Sequence, residues 1–217
     1  MKKATLLAAL IAICLTGYSQ NLFGIFAGAQ TTTAKYSVTG IKQPTEYKYG
    51  FNAGACLKIP FDANLFFNPA IFYSLKGYKV TLNQHAYPPD TTAINNNTTI
   101  HTLEIAALLQ YDLGKKPAHF FIKAGPSVDF QLAGKETFDL KTGGSVDRQM
   151  PFGFTAYGHY SVNLLFQLGY ETKSGFMIFG QFTDGLTSIN NADAGPQIKH
   201  RAYGITIGKY FSRKNRT

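Results

Sequence analysis

Tryptophan is absent from the chain, cysteine occurs twice, and charged residues make up only 15% of it, against about 25% in a typical soluble domain. Each shortage excludes something. Cys14 lies in an apolar leader, so Cys56 is the one cysteine left after export. No intramolecular disulfide can form, and Cys56 reads as a small packing residue. No stretch beyond the leader is long and apolar enough for a transmembrane helix. A membrane-spanning form must therefore be a closed β-barrel, because only helices and closed barrels satisfy their backbone in lipid. The formal net charge is +9, but the cations are scattered singly or sit in the tail "SRKNRT". That excludes the clustered basic face of a nucleic-acid groove.

What is present begins with Met1-Lys2-Lys3 and "ATLLAALIAICLTG". A charged start, a short apolar run and small residues at Gly17 and Ser19 describe a secretory signal peptide, with cleavage after Ser19. The expected organisation is a signal peptide over 1–19, one β-barrel domain over 20–211 and a basic tail over 212–217. Thirteen Tyr and eighteen Phe accompany the few charges, a composition that fits a protein with two unlike surfaces.

Alternation of apolar and polar residues carries the main signal. In "YKYGFNAGACLKI", 47–59, the odd positions are Tyr, Tyr, Phe, Ala, Ala, Leu and Ile, and the even positions are polar or small. Such a period of two means a strand with one apolar face. Eight stretches read this way: 21–30, 47–59, 64–80, 100–113, 119–133, 154–171, 175–188 and 200–211. "PFDA", "GKKPA" and "TKS" join pairs of them as tight turns, whereas 31–46, 84–99, 134–153 and 189–199 read as long loops. Short and long connections alternate strictly, which gives one end short turns and the other long loops. That asymmetry marks an outer-membrane barrel with short periplasmic turns and long extracellular loops.

The faces then divide. Phe51, Leu57, Ile71, Ile105, Leu109, Ile122, Val128, Leu164, Phe166, Ile205 and Ile207 fall on apolar rows and are expected to face lipid. Lys48, Lys58, Lys76, Glu104, Asp112, Lys123, Asp129 and Glu171 fall on polar rows and are expected to pair inside a filled lumen with trapped water. An eight-stranded barrel is just wide enough for side chains to fill it, so free diffusion through it is not expected. In the third and seventh strands both faces carry Phe, and the pattern is less decisive. A lipocalin-like soluble barrel, with its apolar face inward around a small ligand, is the alternative architecture. Strand length, the Gly-, Ser-, Asn- and Gln-rich polar rows and the Tyr or Phe at row ends favour the membrane.

Several motifs resemble a known family. "NPAIFYSLKGY" is similar to the pattern P-E-L-x-Y-S-x-K-G of the PorT-like outer-membrane β-barrels of Bacteroidetes. "LEIAALLQYDLG", "FFIKAGPSVDF", "DGLTSI" and "GITIGKYF" follow in that family's order, with Ala106 a departure where Pro is common. The resemblance implies an eight-stranded outer-membrane barrel without an assigned activity.

A candidate for chemistry is the stretch "GHYSVN", 158–163. His159 and Ser161 share a strand face by spacing and could form a base–nucleophile pair. The stretch resembles the H-Y-S-N of outer-membrane lipid A deacylases, but Val162 interrupts it, and both residues are expected to face the lumen, where a lipid cannot reach. The expectation is therefore no enzyme, with a lipid-modifying enzyme using His159 and Ser161 as an alternative. His85, His101, His119, His159 and His200 lack close ligand spacing, so neither a metal nor a cofactor is expected. The expected partners are outer-membrane lipids, including lipopolysaccharide phosphates met by Lys35, Lys42 and Arg201. The protein is expected to be a monomer with its surface role in the exterior loops.

Overall fold

The computed structural model describes residues 21–211; the signal-peptide and tail expectations lie outside them. Eight long strands run β1 (Leu22–Val38), β2 (Lys48–Asp62), β3 (Leu65–Thr81), β4 (Asn95–Leu113), β5 (His119–Asp139), β6 (Tyr160–Glu171), β7 (Phe176–Gly185) and β8 (Gln197–Phe211). Short strands at Ile41–Lys42, Thr45–Glu46 and Ser145–Gln149 extend the long ones at one end. Each long strand pairs antiparallel with its chain neighbours. β8 also pairs with β1 from Phe23↔Phe211 to Ser37↔Gln197, so the sheet closes on itself. Closure removes both open edges.

The register fixes the shape of the cylinder. Gly24 faces Cys56, then Ala70, Ala106, Ser127, Asn163 and Gly185 on successive strands. Gly185 abuts His200, and His200 faces Ala34. One circuit thus returns to β1 ten residues further along. With about 3.3 Å per residue and about 4.8 Å between strands, that stagger tilts the strands by about 40°.

Period-two burial follows from the pleat. Even residues of β1–β4 and β8 point inward, and odd residues do so in β6, β7 and the first part of β5. In β5 the parity flips. His101 pairs with Ala133 and Thr102 with Gln131, which leaves Leu132 as the extra residue of a bulge. From there Gly134, Glu136 and Phe138 are the buried set. The connections at 62–65, 113–119 and 171–176 are tight. Gly175 closes the last of them at φ 80°, a conformation that needs glycine.

The boundaries differ from expectation at the long-loop end. β1 continues to Val38, β4 starts at Asn95 and β5 continues to Asp139, so much of three expected loops is strand. Thr31, Thr32, Thr33 and Tyr36-Ser37-Val38 are β-branched or alternating residues whose polarity reads as loop but whose backbone preference is extended. β6, conversely, starts at Tyr160 rather than 154.

Candidate functional site

The interior of the barrel is filled in layers. At the short-turn end Lys58 from β2 donates to Asp112 Oδ2 of β4 at 2.7 Å and to Glu171 Oε2 of β6 at 2.8 Å. His119 lies beside the same two oxygens, with Nε2 at 3.0 and 3.6 Å. Gln110 donates to Asp112 Oδ1 at 2.6 Å. Lys123 makes no salt bridge with a described residue; its ammonium donates to Asn68 Oδ1 and Tyr210 Oη, both at 3.1 Å, and lies 4.8 Å from the Phe121 ring centroid. Neutral oxygens and ring faces thus replace its water.

Above this layer the bore is apolar. Phe26, Phe72, Phe121, Phe179, Leu108 and Leu165 come from six different strands and are all buried. Their rings meet edge to face, with centroids 5.6 Å apart for Phe26–Phe72 and 6.2 Å for Phe121–Phe179. Gly169 makes room for them: a Cβ there would stand 2.6 Å from Phe121 Cζ and 2.5 Å from Phe179 Cβ.

A second charged layer follows. Lys76 donates to Glu104 Oε2 and to both oxygens of Asp129, each at 2.8 Å. Lys76, Glu104 and Asp129 are 3%, 1% and 0% exposed. Ser127 donates to Glu104, and Ser161 donates to Asp129 at 3.4 Å. Desolvated charges persist only when paired and hydrogen-bonded, and here they are.

The long-loop end carries a lid of side chains. Tyr36, Tyr78, Ile100, Phe138, Tyr157 and Ile198 belong to one buried cluster. Within it Tyr157 Oη donates to Glu136 Oε2 at 2.6 Å, and Arg148 Nε donates to Glu136 Oε1 at 2.8 Å. Arg148 also donates to Pro89 O at 2.7 Å, which ties the 82–94 connection to the barrel. Burial first, then the neighbouring Tyr78 and Glu136, push the Tyr157 hydroxyl well above its ordinary titration range.

Of the polar set expected from the sequence, Lys58, Asp112 and Glu171 converge in the lower layer and Lys76, Glu104 and Asp129 in the upper one, with Lys123 between them. Lys48 does not join them. The β2–β3 ladder lapses between Asn52↔Ser74 and Glu46↔Lys79. In the gap Thr32 of β1 exchanges hydrogen bonds with Gly77 N and O, and Gln30 donates to Leu75 O. Lys48 instead passes Gly77 and donates to Asn97 Oδ1, Thr98 O and Thr99 Oγ1 on β4. A strand that leaves its ladder no longer obeys the pleat, which is why parity misplaced this residue.

His159 and Ser161 are likewise not brought together. His159 precedes β6, is exposed and packs on Phe152 at 5.8 Å, whereas Ser161 is buried with Gln131 and Asp129. Alternation applies only inside the strand, so the spacing of two did not give a shared face, and a base–nucleophile pair is absent here. On the outward rows, Phe51, Ile71, Ile105, Leu109, Leu164, Phe166, Ile205 and Ile207 are exposed, while Leu57, Ile122 and Val128 are half-buried among them. The inward phenylalanines, Asn68, Tyr210 and the Glu136–Arg148 pair were missed. The Phe on both faces of β3 and β7 was the available signal.

The model of the outer membrane protein beta-barrel domain matches residues 18–191. The chain belongs to that family. It is an outer-membrane protein, and no curated protein matches it. Among solved structures, the outer membrane protein OprG from Pseudomonas aeruginosa is 13% identical, covering 91% of this chain and 99% of that one, with a TM-score of 0.51. Ail, the attachment invasion locus protein of Yersinia pestis, is 11% identical, covering 88% and 99%, at 0.47. Neisserial surface protein A is 11% identical, covering 86% and 97%, at 0.42. At these identities the likeness is one of fold.

Proposed function

We propose that this family member is a closed, non-conducting barrel of the PorT-like type found in Bacteroidetes, exported by a cleaved signal peptide over 1–19. It serves to hold a structured cap of loops on the outer side of the membrane for surface contact. The observation that carries this reading is the filled bore. A solute passing from Lys58 to Tyr157 meets two charged layers, an aromatic band and a buried lid. With His159 and Ser161 apart, no enzymatic role is assigned. The outward apolar rows support contact with lipid acyl chains, with the short turns in the periplasm. Reconstitution in planar lipid bilayers tests the reading: the protein inserts without conductance steps, and stable single-channel currents in the intact chain would overturn it.

One further contact has specific support. Lys35 and Arg201 both bond Asp184, at 2.7 and 3.1 Å, and Lys199 is Lys35's cross-strand partner. Two cations thus share the Asp184 carboxylate near the loop end of β1, β7 and β8, with Lys199 the neighbour of Lys35 across the ladder. Phe182 and Tyr203 lie beside them with centroids 5.0 Å apart. A basic patch beside aromatics at the membrane's outer edge suits lipopolysaccharide phosphates. Lys42 is exposed on the Ile41–Lys42 strand that extends β1. Replacing Lys35, Lys199 and Arg201 by Ala is expected to weaken lipopolysaccharide binding in a co-sedimentation assay; unchanged binding contradicts this contact.

A further inference from the structure

Asp112, His119 and Glu171 lie near three strand ends at the short-turn mouth. His119 and Glu171 are direct cross-strand partners on β5 and β6, and Asp112 faces Phe121 on β4, two residues along from His119. One donor atom from each lies within 4.8 Å of the other two. The imidazole is oriented from behind: Nδ1 donates to Lys116 O at 3.1 Å in the tight turn. That bond leaves Nε2 pointing into the cluster. The His119 side chain is 10% exposed, and Nε2 makes no hydrogen bond of acceptable geometry despite standing 3.0 Å from Asp112 Oδ2 and 3.6 Å from Glu171 Oε2. Two carboxylate oxygens beside an imidazole nitrogen call for a positive charge between them, carried either by a proton on Nε2 or by a metal ion bound there.

We propose that Asp112, His119 and Glu171 form a divalent-cation site, with zinc as the ion their donor set fits. Zinc takes imidazole nitrogen and carboxylate oxygen at about 2.0–2.2 Å in a tetrahedron, whose edges are then about 3.4 Å. The distances of 3.0 and 3.6 Å bracket that edge. A ligating histidine whose second nitrogen donates to a backbone carbonyl is the usual outer-shell arrangement. One water completes the coordination. Lys58 shares both carboxylate oxygens, so it holds the ligands together in the metal-free protein and opposes the ion electrostatically. The site is therefore of moderate affinity, and it ties the ends of β4, β5 and β6 together when filled. Sequence spacing conceals it, because the ligands meet only through the register of three strands.

The full-length barrel, folded in detergent micelles, is titrated with zinc chloride by calorimetry, and folding of every variant is checked by heat-modifiable gel migration. One zinc ion is expected to bind per chain. His119→Ala and the milder His119→Gln lose saturable binding, His101→Ala keeps it, and Lys58→Met tightens it at least tenfold. Absence of saturable binding in the wild-type protein would mean that the imidazole is only an ion-pair partner, and would overturn the proposal. Unchanged binding in a folded His119 variant, or no tightening in Lys58→Met, would overturn it equally.

Discussion

Lys76→Met separates a charge-bearing lumen from a merely polar one. Lys76 makes three hydrogen bonds of 2.8 Å to Glu104 and Asp129, and both carboxylates are essentially inaccessible to water. Methionine keeps most of the side-chain volume but removes the only cation among the described residues that is bonded to either group. Hydrogen bonds to charged groups contribute about 1.5–3 kcal/mol each, and breaking a buried ion pair by removing one partner costs about 3–5 kcal/mol. The expected loss is therefore about 3–5 kcal/mol, since the three bonds share one donor and are not additive. Urea unfolding in lipid vesicles, followed by far-UV circular dichroism and heat-modifiable migration, measures it as a lower midpoint at unchanged slope. Adding Glu104→Gln and Asp129→Asn should restore most of the loss, because a neutral set of similar shape no longer strands a charge. A Lys76→Met protein within about 0.5 kcal/mol of wild type would refute the reasoning, because the layer would then be open to water.

Two further predictions follow from the wall and the lid. Phe51 is exposed on the outward row of β2, so Phe51→Lys should destabilise the inserted barrel by about 2–4 kcal/mol if it sits near the bilayer midplane, read from the same urea transition; normal insertion and stability would mean that the faces are reversed. Tyr157→Phe removes the bonds of the buried hydroxyl to Glu136 and Asn96 and should weaken the lid by about 1.5–3 kcal/mol, seen as faster proteolysis within 150–159 while β1–β8 stay protected; an unchanged cleavage rate would show that the hydroxyl does not hold the lid.

How much of this was legible in the sequence depends on whether a residue sits inside a regular ladder. Ile105 and Leu109 are exposed and Glu104 and Asp112 buried, in step with the alternation, because β4 keeps its pleat over that whole stretch. Lys48 was misplaced because β2 leaves β3 beside it, and Thr32 takes over hydrogen bonds that the alternation assumes the backbone makes. The bulge at Leu132 reverses parity for Glu136 and Phe138, and no residue type announces it. The outer extensions were hidden by composition, since Thr and Asn serve equally in loops and in polar strand ends. Pairs such as Lys58 with Glu171, 113 residues apart in the chain, depend on the stagger of the whole barrel. That stagger is set jointly by all eight strands and can be read from none of them alone.

On this reading the polar rows face the packed interior and the apolar rows face the bilayer. Spin labels placed one at a time along β2 from residue 49 to 57, in a Cys56→Ala background, test it most directly in reconstituted vesicles. Collision with dissolved oxygen should peak at 49, 51, 53, 55 and 57 and fall at 50, 52, 54 and 56, where the label meets a packed interior. The opposite phase, or no alternation at all, would contradict the account.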